Sequence, residues 1–194
     1  MVQYSRAGNS RYKKLIQSKL EKIKKEASQI SKRVSHEKTL TDQERAVIYS
    51  SWIYSAVRLF TSVDDKGKTL EQIQERFHLT RQRASDVLNF LESAGLVVLE
   101  KDFYKMGPQR TFLEHGSPHL LKHHGNWRIK ALQQADKISE KELMFTSPVS
   151  LSRDDFEILR EQIADFIKHF LTVVKDSPAQ DLACLNIDFF WLEK

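Results

Sequence analysis

The apolar positions of the chain change period several times, and each change marks an element. Ile16, Leu20, Ile23, Ala27, Ile30 and Val34 follow one another at spacings of 4, 3, 4, 3 and 4. That is a heptad seam. It predicts a helix from Ser10 to about Ser35 whose stripe packs on the body or on a second copy of itself. Thr41-Asp42-Gln43-Glu44 is a cap-and-acid start, and Val47, Ile48, Trp52, Ile53, Ala56, Val57 and Phe60 fit one face of a helix from Glu44 to about Phe60. Trp52 and Tyr54 read as packing residues. From Thr69 the pattern tightens. Leu70, Ile73 and Phe77 face one core behind a Thr69/Gln72 capping box, His78 and Leu79 turn the chain, and Thr80 caps a second helix with Ala84, Val87, Leu88 and Leu91 on its apolar side. Gly95 stands where that helix needs a left-handed residue. Val97 to Glu100 and Phe103 to Met106 then form a hairpin around Lys101-Asp102.

Beyond Gly107-Pro108 and Gly116-Ser117-Pro118 the periods lengthen again. Leu120 to about Asp136 reads as a helix carrying Trp127, Ala131, Leu132 and Ala135. Leu143, Phe145, Ser147, Val149 and Leu151 alternate as a strand, with Pro148 placing it at an edge or a bulge. Ser152 caps a long helix to about Lys175, and Asp176-Ser177-Pro178 stops it. Cys184 to Leu192 alternates as a closing strand. The predicted fold class is α+β and mainly helical. A basic heptad arm (1–40) precedes a winged helix-turn-helix (41–110), and an α-β-α-β domain (111–194) follows. Two strands make a poor sheet alone, so a second subunit is a natural source of the missing partners.

The second helix of the central motif is the candidate reader of a DNA major groove. Thr80, Arg81, Gln82, Arg83, Ser85 and Asn89 lie on its outward side, along with Asp86. Arg and Gln can reach base edges, while Ser and Thr can reach phosphates. Lys101 and Lys105 would be wing contacts. The other reading of these positions is a solvated face on a protein-binding winged helix, and Asp86 and Glu92 suit phosphates badly.

Charge changes that picture. The chain has 194 residues and a net charge of +5. Residues 1 to 35 hold ten basic against two acidic side chains, a net of +8, so the remainder carries −3. The basic character belongs to the arm. On one reading Lys13, Lys14, Lys24 and Lys25 would clamp phosphates or another acidic surface, and Ile16, Leu20, Ile23 and Ile30 would pair two subunits; on the other, the lysines are simply solvated. No apolar run approaches the roughly 20 residues of a membrane span, and no secretory leader is visible. The single cysteine, Cys184, excludes an internal disulfide and favours a reducing cytoplasm.

His115, His119, His123 and His124 cluster, and the middle pair is four apart, as a metal grip on a helix requires. No cysteine lies near them, so they read as surface or capping residues. Asp154 and Asp155 read as helix N-terminal acids. There is no phosphate-binding glycine loop, nucleophile elbow or Cys–His constellation. The sequence therefore predicts no enzyme, no metal and no cofactor.

Taken in order, SSWIYSAVRLF (50–60), the central motif, HHGNWRIKALQQA (123–135), FTSPVSLSRDDFEILREQIADFIKHFL (145–171) and LNIDFFWL (185–192) resemble the TIGR02147 family, whose C-terminal region is the domain DUF4423. The resemblance covers residue 40 to the end. It implies a bacterial transcriptional regulator and DNA as partner. Typical members begin with a further repressor-type helix-turn-helix, and here the basic heptad stretch stands in that place. Three functions follow in order of preference: a dimeric DNA-binding regulator, a protein-interaction module partnering a longer relative or another regulator, and a sensor acting at the histidines.

Overall fold

The computed structural model describes residues 40–109, 111, 113 and 116–193. The heptad stretch, with Lys13, Lys14, Lys24, Lys25 and the seam at Ile16, Leu20, Ile23 and Ile30, lies outside the described residues, as does His115.

Six α-helices and one hairpin make up the described chain. They are α1 (Asp42–Ile48), α2 (Trp52–Phe60), α3 (Leu70–Phe77), α4 (Arg81–Ser93), β1 (Val97–Glu100), β2 (Phe103–Met106), α5 (Leu120–Gln134) and α6 (Arg153–Asp176), with one 3-10 turn (Ala135–Lys137) after α5. Mainly helical α+β is thus the observed class. No described helix is long and apolar enough to cross a membrane.

The caps explain where the helices begin. Thr41 and Thr69 form full capping boxes with Glu44 and Gln72. Thr80 accepts from the Arg83 amide at 3.2 Å, and Ser152 from the Asp155 amide at 3.0 Å. The end of α4 is equally determined. Gly95 has φ +72°, its amide donates to Glu92 O at 2.9 Å, and the Leu96 amide donates to Leu91 O at 2.8 Å. Those two bonds are a Schellman turn, and they aim the chain directly into β1.

One expectation changes here. The single helix from Glu44 to Phe60 is two helices, broken at Tyr49-Ser50-Ser51. The Ser50 hydroxyl donates to Val47 O at 2.7 Å, and the Ser51 hydroxyl accepts from the Ile53 amide at 3.4 Å. Two consecutive serines offer the backbone local partners that compete with helical ones. The break lets both halves turn apolar sides inward. Ile48 and Val57 are fully buried, and Tyr54 is buried against Phe90, 5.2 Å away edge to face.

The core lies among α1 to α4 and β1. Ile73, Ala84, Val87, Leu88, Leu91 and Leu96 are all at 0% exposure. Each Val or Leu hidden this way contributes about 1.5–3 kcal/mol of transfer free energy. The hairpin pairs Val97 with Met106 through Glu100 with Phe103, so Lys101-Asp102 is a two-residue turn, with Lys101 at φ +60°. It is tied to the start of α3 by two backbone bonds between Lys68 and Tyr104, at 2.9 and 2.8 Å.

The C-terminal part departs most from expectation. Among the described residues the only sheet is the hairpin, so neither Leu143–Leu151 nor Cys184–Leu192 is a strand. The second run is held by side chains instead. Arg128 forks onto the Asp188 carboxylate and reaches Ile187 O at 3.4 Å, while Asn186 donates to Trp127 O at 3.4 Å. Phe156 lies parallel to both Phe189 (4.3 Å) and Trp191 (4.4 Å). The alternation is real, but its apolar residues meet one aromatic of α6 rather than a neighbouring strand. The expected apolar side of α5 is also incomplete, because Leu132 is 71% exposed.

Two glycine substitutions check this packing by denaturant unfolding. A Cβ on Gly107 would stand 2.3 Å from Gly95 O and 2.9 Å from Leu96 C, so Gly107→Ala forces backbone apart and should cost about 2 kcal/mol or more. At Gly125, inside α5, a Cβ meets nothing within 4 Å, and Gly125→Ala should stabilise by about 0.5–1 kcal/mol.

Candidate nucleic-acid interface

The inner side of α4 is saturated, and this determines what its outer side can present. With Ala84, Val87, Leu88 and Leu91 fully buried, the helix cannot roll, and Arg81, Gln82, Arg83, Asp86 and Asn89 are exposed. Ser85 is half-buried, so it is the least accessible of the expected contacts. Thr80 sits at the start with its oxygen engaged by the cap.

The polar side chains are not free-standing. Arg81 Nη1 lies 3.2 Å from Glu71 Oε1 on α3, across the tight turn at His78, whose φ is +52°. Glu71 titrates below the usual glutamate range. The hydrogen bond to its own backbone is the main cause, with Arg81 adding to it. Gln82 Nε2 donates to Asp86 Oδ1 at 2.8 Å. The Arg83 guanidinium lies 5.6 Å from the centroid of Tyr54. On the hairpin, Lys105 Nζ pairs with Glu100 Oε2 at 2.8 Å, and Lys101 occupies the exposed turn. Lys66, which the apolar pattern does not single out, stands 4.5 Å over the Phe103 ring and extends the basic side of the hairpin.

The acidic partners are the main feature that sequence reasoning misses. Asp86 is visible four residues from Gln82. Glu71 is ten residues from Arg81, and only the angle between α3 and α4 brings them together. At the base of the hairpin, Lys68 is buried, pairs with Asp64 and lies 5.0 Å over Phe60. That hydrogen bond holds the Asp64 carboxyl below its ordinary range. Lys68 is therefore a structural ammonium, unavailable to a ligand.

His119 and His123 belong to packing. His123 meets Tyr49 edge-on at 5.2 Å, and His119 stacks on the same ring at 6.3 Å. Asn126 Nδ2 donates to Tyr49 O at 2.9 Å, which satisfies a carbonyl freed by the break after α1. Among the described residues no group of three His, Cys, Asp or Glu side chains could hold a metal ion. Burial raises the Tyr49 phenol and lowers the His123 imidazole from their ordinary values, the latter with help from His124.

The arrangement defines a class: a mainly helical α+β chain in which a capped, immobilised helix shows Arg, Gln and Asn beside a short hairpin. The chain belongs to the family of the domain of unknown function DUF4423, whose model matches residues 31–192. No curated protein matches it, and no solved structure does.

The shift at His123 has a sign that can be checked. Its folded imidazole resists protonation, so the unfolded chain binds the extra proton first. Stability is therefore fully present above the ordinary histidine range near pH 6.5 and falls as pH drops through it. Thermal melts from pH 7.5 to 5 should show that decline, and His123→Gln should flatten it.

Proposed function

We propose that the protein is a winged helix-turn-helix transcriptional regulator that binds DNA as a homodimer. In this reading α3 and α4 are the helix-turn-helix, α4 is the recognition helix and β1–β2 is the wing. One observation carries it: the first turns of α4 present Arg81, Gln82 and Arg83 outward while four residues of the same helix are fully buried beneath them. Groove readers place their base contacts at the start of the second helix. The internal pairings do not oppose this. An exposed pair such as Arg81–Glu71 is among the weakest interactions on a protein surface. A bidentate arginine–guanine contact contributes about 1–3 kcal/mol of discrimination. Lys101 and Lys105 would meet the backbone beside the groove, and the basic stretch with Lys13, Lys14, Lys24 and Lys25 would add phosphate contacts. The resemblance to a transcriptional-regulator family points the same way.

A second reading, a protein-interaction module, is favoured by a different observation. Every cation of the α4 start is already matched with an acid or an aromatic ring, and the net charge outside residues 1–35 is −3.

Mobility-shift titrations on genomic fragments at low salt decide between them. The regulator gives a shift. Arg81→Ala should lose about 1–3 kcal/mol on the preferred site and relax one base pair of preference. Neutralising Lys13, Lys14, Lys24 and Lys25 together should instead weaken binding to all sequences and flatten the salt dependence. No shift at low salt ends the regulator reading. Equal binding to all DNA with Arg81→Ala unchanged leaves only the basic stretch in contact, and the interaction module stands.

The dimer rests on the heptad spacing of Ile16, Leu20, Ile23 and Ile30. Light scattering should give twice the chain mass, and Ile23→Asp should weaken the dimer, moving its midpoint to higher concentration, while circular dichroism stays unchanged. A wild type that remains a single chain at every concentration rules the dimer out.

A further inference from the structure

Residues 141–192 bury almost nothing. In all of α6, 24 residues long, only Phe156 is buried, and the helix has no extensive packing on another element. The segment before it, Lys141 to Ser150, is exposed at every position, with Leu143 at 96% and Phe145 at 86%. Fourteen large hydrophobic side chains between Leu143 and Leu192 are exposed. At about 150–250 Å² for a whole aromatic side chain, Phe145, Phe166 and Phe190 alone expose roughly 300–500 Å², and the eleven other side chains add to it. The largest apolar patch on an ordinary monomer is about 300–600 Å². A standard interface removes about 800 Å² from each partner.

We infer that this surface is closed by a second copy of the chain through reciprocal exchange: the 141–150 arm of each protomer lies along the α6 of the other. Two features select a second copy over an unrelated occupant. The chain carries both halves of the contact, an arm with an alternating apolar row and a long helix with an uncovered apolar strip at Leu159, Phe166, Ile167 and Val174. Its own helix leaves the arm largely uncovered, with Leu143 at 96% and Phe145 at 86% exposure. A chain with an unsatisfied donor and an unsatisfied acceptor closes both in a two-fold pair and leaves neither over. The area is also right, since what is uncovered matches what a stable dimer removes. Among the described residues no sheet includes the arm, and Pro148 lacks only a donor.

This deepens the dimer reading above but places the contact elsewhere, so the two can fail separately. Full-length chains carrying photoreactive benzoylphenylalanine at position 145, an exposed site where the fold is not at risk, are prepared in 14N and 15N forms, mixed and irradiated. Peptide mass spectrometry then reads the products. Arm exchange gives mixed-isotope links from position 145 to the 153–176 peptide, at least tenfold above the same residue placed at Leu121, an exposed leucine on α5. The links should persist in Ile23→Asp chains, because the seam is not involved. Links confined to one isotope, links from 145 to another region of the second chain, or no link at all each overturn the exchange. Loss of the links in Ile23→Asp alone would show that the seam, not the arm, brings the chains together.

Discussion

The complete burial of one side of α4 is the constraint on which the rest of the described chain depends. Ala84, Val87, Leu88 and Leu91 have no exposure left, and they meet Ile48, Val57 and Ile73, which have none either. Removing one such leucine would cost about 2–5 kcal/mol, comparable to the whole margin of a small domain. Everything polar on that helix is therefore positioned by something apolar behind it. The same burial sets where α4 stops. Leu96, just past the Schellman turn, is itself fully buried, so the hairpin leaves from a point pinned on both sides of Gly95.

The C-terminal third obeys a different balance. Its closing run is kept in place by Arg128 on Asp188, Arg76 on Asp181 and the sandwich of Phe156 between Phe189 and Trp191. Exposed ion pairs of this kind add little stability, so they orient the segment more than they hold it. Among the described residues the aromatic sandwich holds the one buried side chain of α6, Phe156. Past that first turn, the helix presents apolar side chains to solvent in a number that no ion pair compensates.

Much of the central motif is legible in the amino-acid sequence. Caps are short-range chemistry: Thr69 with Gln72, Thr80 with Arg83 and Ser152 with Asp155 are each three residues apart, so their partners can be read directly. The hairpin is legible because Lys101-Asp102 separates two β-prone runs of equal length. The break at Tyr49–Ser51 is not, because the apolar period continues across it, and only the serine hydroxyls decide between continuing and restarting. The strands expected at 143–151 and 184–192 fail for another reason. Alternation reports that one side of an extended run is apolar; it does not say what will cover that side. For the second run the answer is Phe156 and α5.

The candidate site shows the same division between local and distant information. That Arg81, Gln82 and Arg83 face outward follows from the period of α4. That Arg81 lies 3.2 Å from Glu71 does not, since the contact spans a turn whose angle is set by His78 in a left-handed conformation. The consequence is mechanistic. In the proposed regulator, an arginine held by an exposed carboxylate would start extended and oriented, and would exchange a weak intramolecular partner for a ligand without first being ordered. The acid also raises the cost of the wrong ligand. With Glu71 beside Arg81 and Asp86 beside Gln82, the two arginines of this surface are offset by two acids, which would leave little pull on a uniform phosphate backbone. In that reading the surface would accept a partner only where hydrogen-bond acceptors meet the guanidinium and not the carboxylates. If α4 reads DNA, its contribution is therefore discrimination, and the sequence-independent attraction comes from the ten basic side chains before Ser35.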